Sequence, residues 1–117
     1  MKRHFRLRSS REINRVRQSG KAFSSSLVVL VMLENQSVNT RIAVIATRSV
    51  GGAIERNRCK RVLRAVASEI LPTVEQGYDL VLIGRKPLRN AAFFDVRTAV
   101  AKVISDANIT KVIQNVE

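Results

Sequence analysis

The sequence ERNRCKRVLRAV, which runs from Glu55 to Val66, follows a pair of glycines and governs how the rest of the chain is interpreted. At the period of an α-helix, its polar residues recur three and four positions apart and share one face. We call that face the cationic stripe, and its members are Asn57, Lys60, Arg61 and Arg64. Apolar residues fall on the opposite face, which can therefore be buried while the stripe stays in water: Cys59, Val62, Leu63, Val66 and Ile70.

The charge of this helix is almost entirely of one sign. Arg56 and Arg58 flank the stripe, and Glu55 is the one acid close by, so internal ion pairs add little stability. A polyanion lying along the stripe would relieve the repulsion between its cations. The pattern therefore predicts a phosphate-rich partner.

Composition indicates the same class of partner. The chain has 117 residues, of which 45% are hydrophobic, so we expect one core and a single domain over residues 1–117. The formal net charge is +12, which favours nucleic acid or an anionic membrane surface. Residues 1–64 hold 15 lysines and arginines against 3 acids, whereas residues 65–117 hold 6 of each. We therefore expect the first half of the chain to make the contact.

Features that would direct the chain to a membrane or an oxidising compartment are not evident in the sequence. The longest apolar run, Leu27 to Leu33, is much shorter than the ~18 to 20 residues that span a bilayer. The basic segment Met1 to Gly20 has no apolar core of the secretory type. The single cysteine, Cys59, lies on the apolar side of the helix and is interpreted as a buried core residue. We expect a cytoplasmic protein that binds no membrane.

The N-terminal half predicts one helix and two strands. Ser9 and Glu12 have the spacing of a capping box, and the helix that they begin should end near Gly20. A polar loop, Lys21 to Ser26, precedes a buried strand over Leu27 to Leu33. A second strand, Arg41 to Ala46, is expected to pair with it in antiparallel fashion.

The C-terminal half predicts two helices around a further strand. The basic helix should run from Ala53 to Leu71, because proline follows. The strand Leu80 to Gly84 should pair in parallel with an earlier strand. A helix over Ala92 to Ile104 places Phe93 on its buried face, and residues 109–117 are left as an undetermined tail.

A catalytic site is not indicated by the residue types available. His4 is the one histidine and lies among cations near the N-terminus, the acids are scattered, and no glycine-rich phosphate loop is present. The sequence therefore indicates a binding protein with no catalytic residue and no metal ligands of its own. A basic helix could enter the major groove of duplex DNA, but one placed among strands suits a folded RNA better.

The residues from Thr47 to Arg64, TRSVGGAIERNRCKRVLR, resemble the signature of the bacterial ribonuclease P protein component. The pattern Arg-Asn-Arg-x-Lys-Arg-x-x-Arg, preceded by Gly-x-Ala-hydrophobic, is specific to that family. The resemblance extends over nearly the whole chain, including Arg85-Lys86-Pro87 after the later strand. It implies an α+β fold, a compact α/β sandwich with a four-stranded sheet, about three helices and a left-handed βαβ crossover, of the kind found in a small-subunit ribosomal protein.

The resemblance also implies a function. Proteins of this family join a catalytic RNA to form the endonuclease that removes the 5′ leader from precursor tRNA, and the RNA supplies the active site with its Mg²⁺. We expect one protein monomer per RNA. The residues at the positions that anchor the protein to the RNA in this family are expected to do the same here: Arg48, Gly51, Arg56, Asn57, Arg58, Lys60, Arg61 and Arg64.

The leader is expected in a cleft between the sheet and the first helix, and here the chain departs from the family. Aromatic residues commonly line that cleft, whereas the matching positions hold Ile13, Arg17 and Val31, with Phe5 or Phe23 available to substitute. Ser49 and Gly52 also stand where the family usually carries a cation or another hydrogen-bond donor.

Two other classes of function remain open on the sequence. A ribosomal or other structural RNA-binding protein would have a similar composition and would co-purify with ribosomal RNA. An independent nuclease would cleave RNA without an RNA subunit, which the scattered acids do not favour.

Overall fold

The computed structural model describes residues 5–111, and within them four strands form one mixed sheet flanked by three α-helices. The strands are β1 (Lys21–Ser24), β2 (Val28–Glu34), β3 (Arg41–Ala46) and β4 (Tyr78–Gly84). The helices are α1 (Ser10–Ser19), α2 (Ala53–Ile70) and α3 (Phe93–Asp106). Short 3-10 helices lie between these elements: the pre-helix turn Arg48–Val50, the segment Leu71–Thr73, and the post-strand turn Lys86–Asn90.

The strand order is β1-β2-β4-β3, so the predicted pairing of β2 with β3 is wrong. β4 lies between them, antiparallel to β2 and parallel to β3, which confirms the predicted parallel pairing of this strand. Residues Asp79 to Leu82 are buried, and a strand covered on both faces is most stable in the middle of a sheet. The connection through α2 allows the parallel pairing, because a crossover helix returns the chain to the starting edge.

The sheet separates two apolar layers. On one face, Leu30, Leu80 and Leu82 pack beneath α2 and α3. On the other face, Val31 and Val81 pack beneath Val16 of α1. The side chains of adjacent strand residues point to opposite faces, so the unbroken apolar run of β2 serves both layers. The α+β class and the four-stranded sheet expected from the resemblance are confirmed.

The basic helix occupies almost the predicted residues, and its apolar side is buried at Cys59, Leu63, Val66 and Ala67. Its first turn is closed by Glu55, whose carboxylate accepts from the backbone N–H of Gly52 at 2.9 Å. The helix gives way to the 3-10 segment that contains Pro72, in agreement with the predicted end.

The first helix begins and ends at the predicted residues, but the geometry of both caps differs from the prediction. Ser9 Oγ accepts from the backbone N–H of Glu12 at 3.4 Å, whereas the Glu12 carboxylate bonds Arg41 of β3. Gly20 has φ −79°, so it is not the left-handed cap that was expected. Glycine is needed there for space, because a Cβ atom would lie 2.5 Å from the carbonyl oxygen of Val16.

Three further expectations are corrected. The predicted loop from Lys21 contains strand β1, a short polar edge strand in which only Phe23 is partly buried. Phe93 is 43% exposed rather than part of the core, because it lies in the first turn of α3, before the helix settles on the sheet. Ile109 is buried and Thr110 bridges Val74, so the described part of the expected tail is anchored. His4 and residues 112–117 lie outside the described residues.

Candidate nucleic-acid interface

The cationic stripe lies on the solvent side of α2. Asn57, Arg61 and Arg64 are exposed and Lys60 is half-buried, while the opposite face is packed on the sheet. Within the described residues, no cation of α2 forms a salt bridge. The burial of the apolar face therefore fixes a row of unneutralised positive groups in one orientation toward solvent.

The backbone before α2 is shaped by two glycines. Gly51 has φ +145°, and a Cβ atom there would lie 2.9 Å from the carboxylate of Glu55. Val50 is fully buried and anchors the pre-helix turn, leaving Arg48 exposed at its start. The structure thus brings the predicted residues Arg48 and Gly51 next to the first turn of α2. The backbone N–H groups of Val50 and Gly51 donate within the turn, to the carbonyl oxygens of Thr47 and Arg48.

A second group of cations joins this surface from the end of β4. Arg85, Lys86 and Arg89 are exposed around the post-strand turn, which packs against the pre-helix turn. Arg58 Nη1 donates to the carbonyl oxygen of Arg89 at 3.3 Å and so links α2 to this segment. From the sequence, Arg85 and Lys86 were interpreted only as residues that follow a strand, and Arg89 was not singled out. The signal available in the sequence was the close spacing of these three cations directly after a predicted strand.

A groove of about 250 Å³ opens between the N-terminal segment, α1, β3 and α2. Its rim is cationic and its floor is apolar, formed by Arg6, Arg8 and Arg64 above Leu7, Ile13 and Ala43. Arg64 therefore belongs both to the cationic stripe and to this groove. The combination can hold phosphates at the rim and apolar faces of ribose or base below.

The residues predicted for the leader cleft do not all meet. Ile13 lines the groove and Phe5 is half-buried near its N-terminal side, while Arg17 is exposed on α1. Val31 is only 6% exposed because α1 covers it, so it offers little surface to a ligand.

A row of half-buried apolar residues crosses the sheet face on which α1 packs. Val29 of β2 pairs with Ile83 of β4, and Ile83 pairs with Ile45 of β3. All three side chains are partly exposed, in contrast to Val31. This apolar row was missed from the sequence, because a run of apolar residues does not reveal which of them a helix covers.

The position of α1 is fixed by an ionic network. Arg41 donates to both carboxylate oxygens of Asp79, at 3.0 and 2.9 Å, and to Glu12 at 2.7 Å. Asn35 donates to Asp79 Oδ1 at 2.7 Å. These bonds, first to Asp79 and then to Glu12, raise the pKa of Arg41 above its ordinary value. The carboxylates of Glu12 and Asp79 are thus both neutralised by Arg41.

Three further properties of the described residues concern metal ligands, the cysteine thiol and membrane-spanning helices. No group of three or more histidine, cysteine, aspartate or glutamate side chains in residues 5–111 could hold a metal ion. Cys59 is buried, and its burial raises the pKa of the thiol, although Lys60 acts in the opposite direction. Among the helices of the same residues, none is long and apolar enough to cross a membrane.

Comparison with known proteins identifies close relatives. The family model described as Ribonuclease P matches residues 1–108. The ribonuclease P protein component of Herpetosiphon aurantiacus is 33% identical over 93% of this chain and 89% of its own. That of Clostridium kluyveri is 32% identical over 92% of this chain and 97% of its own.

Solved structures show the same fold. The RNase P protein of Thermotoga maritima superposes with a TM-score of 0.78 at 26% identity, covering 86% of this chain and 96% of that one. The Staphylococcus aureus protein gives a TM-score of 0.81 at 18% identity, covering 92% and 98%.

Proposed function

The chain belongs to the bacterial ribonuclease P protein family, and on that premise we propose that it binds the catalytic RNA of ribonuclease P through α2 and contacts the 5′ leader of precursor tRNA beside α1. As a ribonuclease P protein component, it is a tRNA-processing subunit of an endonuclease. The catalytic RNA and the leader are thereby assigned to two different surfaces of the protein. The observation that carries it is the unneutralised cationic face of α2.

The RNA anchor consists of the exposed cations of α2 together with the turns that adjoin it. Guanidinium groups bind phosphate oxygens through two parallel hydrogen bonds, which favours the arginines of this surface as backbone contacts. Gly51 lets the RNA backbone approach the peptide groups before the helix. Arg85, Lys86 and Arg89 extend the anchor beyond the residues that the family signature supplies.

The leader is assigned to the groove lined by Ile13 and Arg64 and to the apolar row Val29, Ile83 and Ile45. This surface offers apolar contact and positive charge in place of aromatic stacking. It therefore favours contacts to ribose and phosphate, which depend little on base identity.

We assign Mg²⁺ to the RNA, as the resemblance to this family implies. The role of the protein is then electrostatic and positional. Its cations lower the repulsion between the phosphates of leader and catalytic RNA, and less Mg²⁺ is needed for productive binding.

The test is cleavage of precursor tRNA by a bacterial ribonuclease P RNA at low Mg²⁺, with and without this protein, beside a protein-only reaction. We expect correct 5′ cleavage to be stimulated only in the mixture. Tight RNA binding without stimulation would contradict the leader assignment and favour a structural RNA-binding role. Cleavage by the protein alone would contradict the proposal that the RNA is the catalyst.

A further inference from the structure

The exposed aromatic residues of this protein lie at the start of α3. Phe93 is 43% exposed and Phe94 69%, whereas Phe5, Phe23 and Tyr78 are half-buried. Exposing two adjacent phenyl rings to water is unfavourable in free energy, and a contiguous exposed apolar patch often marks a binding surface. Their position indicates a contact surface separate from the groove beside α1.

The first turn of α3 lies along the flank of α2. Arg58 of α2 bonds the carbonyl group of Arg89, and farther along both segments Glu69 pairs with Arg97 at 3.3 Å. Both contacts advance in the same chain direction, so the segment from Arg89 to Arg97 runs along α2 from its first turns toward its end. The phenyl pair therefore lies between two points at which its segment meets the helix that bears the cationic stripe.

Positive charge precedes the phenyl pair in the chain. Lys86 and Arg89 lie in the post-strand turn, Arg85 lies directly before it, and all three are exposed. Asp95 is the one acid in the first turn of α3. Cations beside exposed aromatic rings form the combination that binds single-stranded nucleic acid, in which phosphates contact the cations and bases stack on the rings.

We propose that Phe93 and Phe94 form a platform on which an unpaired base of the catalytic RNA stacks while the adjoining backbone lies on α2. This inference rests on the proposed function and adds a second kind of contact to it. The occupant is the catalytic RNA rather than the leader, because α3 packs on the sheet face opposite α1. A second copy of the chain is disfavoured, since it would bring another +12 charges to a cationic surface.

The first experiment compares the affinity of Phe94→Leu and Phe94→Tyr for the catalytic RNA at fixed salt. Leucine keeps the apolar surface but removes the ring, so affinity should fall by about 5-fold or more, whereas tyrosine should preserve it. The dependence of affinity on salt should stay unchanged in both variants, because every phosphate contact is retained. Equal affinity of the leucine variant and the unsubstituted protein would overturn the inference.

A second experiment detects stacking directly. The chain contains no tryptophan, so Phe94→Trp introduces a single indole that can be excited at wavelengths where Tyr78 does not absorb. Stacking on a base should quench the indole emission when the catalytic RNA is added. Val38→Trp is the matched control, since Val38 is 83% exposed in the turn between β2 and β3, at the opposite end of the sheet. Equal quenching of the two variants would contradict a platform at α3.

The result separates this inference from the proposed function. If the unsubstituted protein neither binds the catalytic RNA nor stimulates cleavage, the proposed function fails. If it does both and Phe94→Leu is indistinguishable from it, only the platform fails. If Phe94→Leu instead abolishes self-association of the free protein and leaves RNA affinity unchanged, the surface joins two copies and the platform is wrong.

Discussion

Arg41 in β3 binds both carboxylate oxygens of Asp79 in the adjacent strand β4, with nitrogen–oxygen distances of 3.0 and 2.9 Å. The aspartate is buried and its partner is half-buried. Through its second contact, to Glu12, the same guanidinium joins α1 to the sheet. One side chain thus fixes the wall of the groove assigned to the leader.

Replacing Arg41 by methionine should lower the free energy of unfolding by about 3 kcal/mol, because Asp79 would remain buried without its cation. Urea denaturation of the two proteins measures this difference. Arg97→Met is the control, since its bridge to Glu69 is exposed and should contribute less than about 1 kcal/mol. Equal losses in the two variants would show that the Arg41 network does not stabilise the fold beyond an ordinary surface pair.

Gly20→Ala should destabilise the protein by about 1 to 3 kcal/mol, because the new methyl group would overlap two backbone carbonyl oxygens. These belong to Val16 and Met32, which would lie 2.5 and 2.7 Å from the added methyl carbon, and neither can move without shifting α1 or β2. Thermal unfolding gives the comparison. Gly52→Ala should cost less, since its methyl group would be 3.4 Å from the Glu55 carboxylate. A larger loss at Gly52 would contradict the steric explanation.

The double variant Arg58→Ala, Arg61→Ala should bind the catalytic RNA more weakly and with a smaller salt dependence. The slope of log affinity against log salt should fall by about one for each phosphate that the variant no longer binds. A titration at several salt concentrations measures both quantities. Lys102→Ala with Lys111→Ala removes the same charge from exposed positions outside α2 and should leave the slope nearly unchanged. Identical slopes for the two double variants would mean that net charge, and not the α2 face, governs binding.

The alkylation rate of Cys59 should be lower by at least about 100-fold in the folded protein than in the protein in urea. The reason is that only opened molecules expose the thiol. Since burial raises the pKa of this thiol, the folded state retains a proton that the unfolded chain loses first as the pH rises. Stability should therefore decline above the ordinary thiol pKa. The Cys59→Ala variant should not show this loss of stability with rising pH. A similar loss in that variant would mean that Cys59 is not its cause.

The helices were predictable because their signals are local. Between Ala53 and Leu71, charged and apolar residues recur three and four positions apart, which is sufficient to predict α2. The capping residue Ser9 is sufficient to predict the start of α1. Strand β1 was missed because a short, exposed edge strand carries almost no apolar pattern, and only pairing with β2 defines it. The neighbours of β4 depend on contacts distant in sequence, which no local pattern encodes.

The candidate site was predictable where one helix carries it and unpredictable where the tertiary structure assembles it. The stripe of α2 could be predicted from spacing alone. The post-strand cations join it only because β4 returns the chain beside the pre-helix turn. Likewise, the exposure of Phe93 depends on where α3 meets the sheet, since the same helical pattern suits a fully buried face.

Because β4 lies between β2 and β3, the sheet cannot be completed during synthesis until residues 78–84 have left the ribosome. Until then, among residues 5–111, β2 has β1 as its one strand partner and β3 has one bridge, to Arg6. At a translation rate of about 5 to 20 residues per second, the apolar strands wait on the order of seconds for their central neighbour. The unpaired edges of β2 and β3 are open to pairing with other chains during that interval, and a pause in translation before β4 would lengthen it.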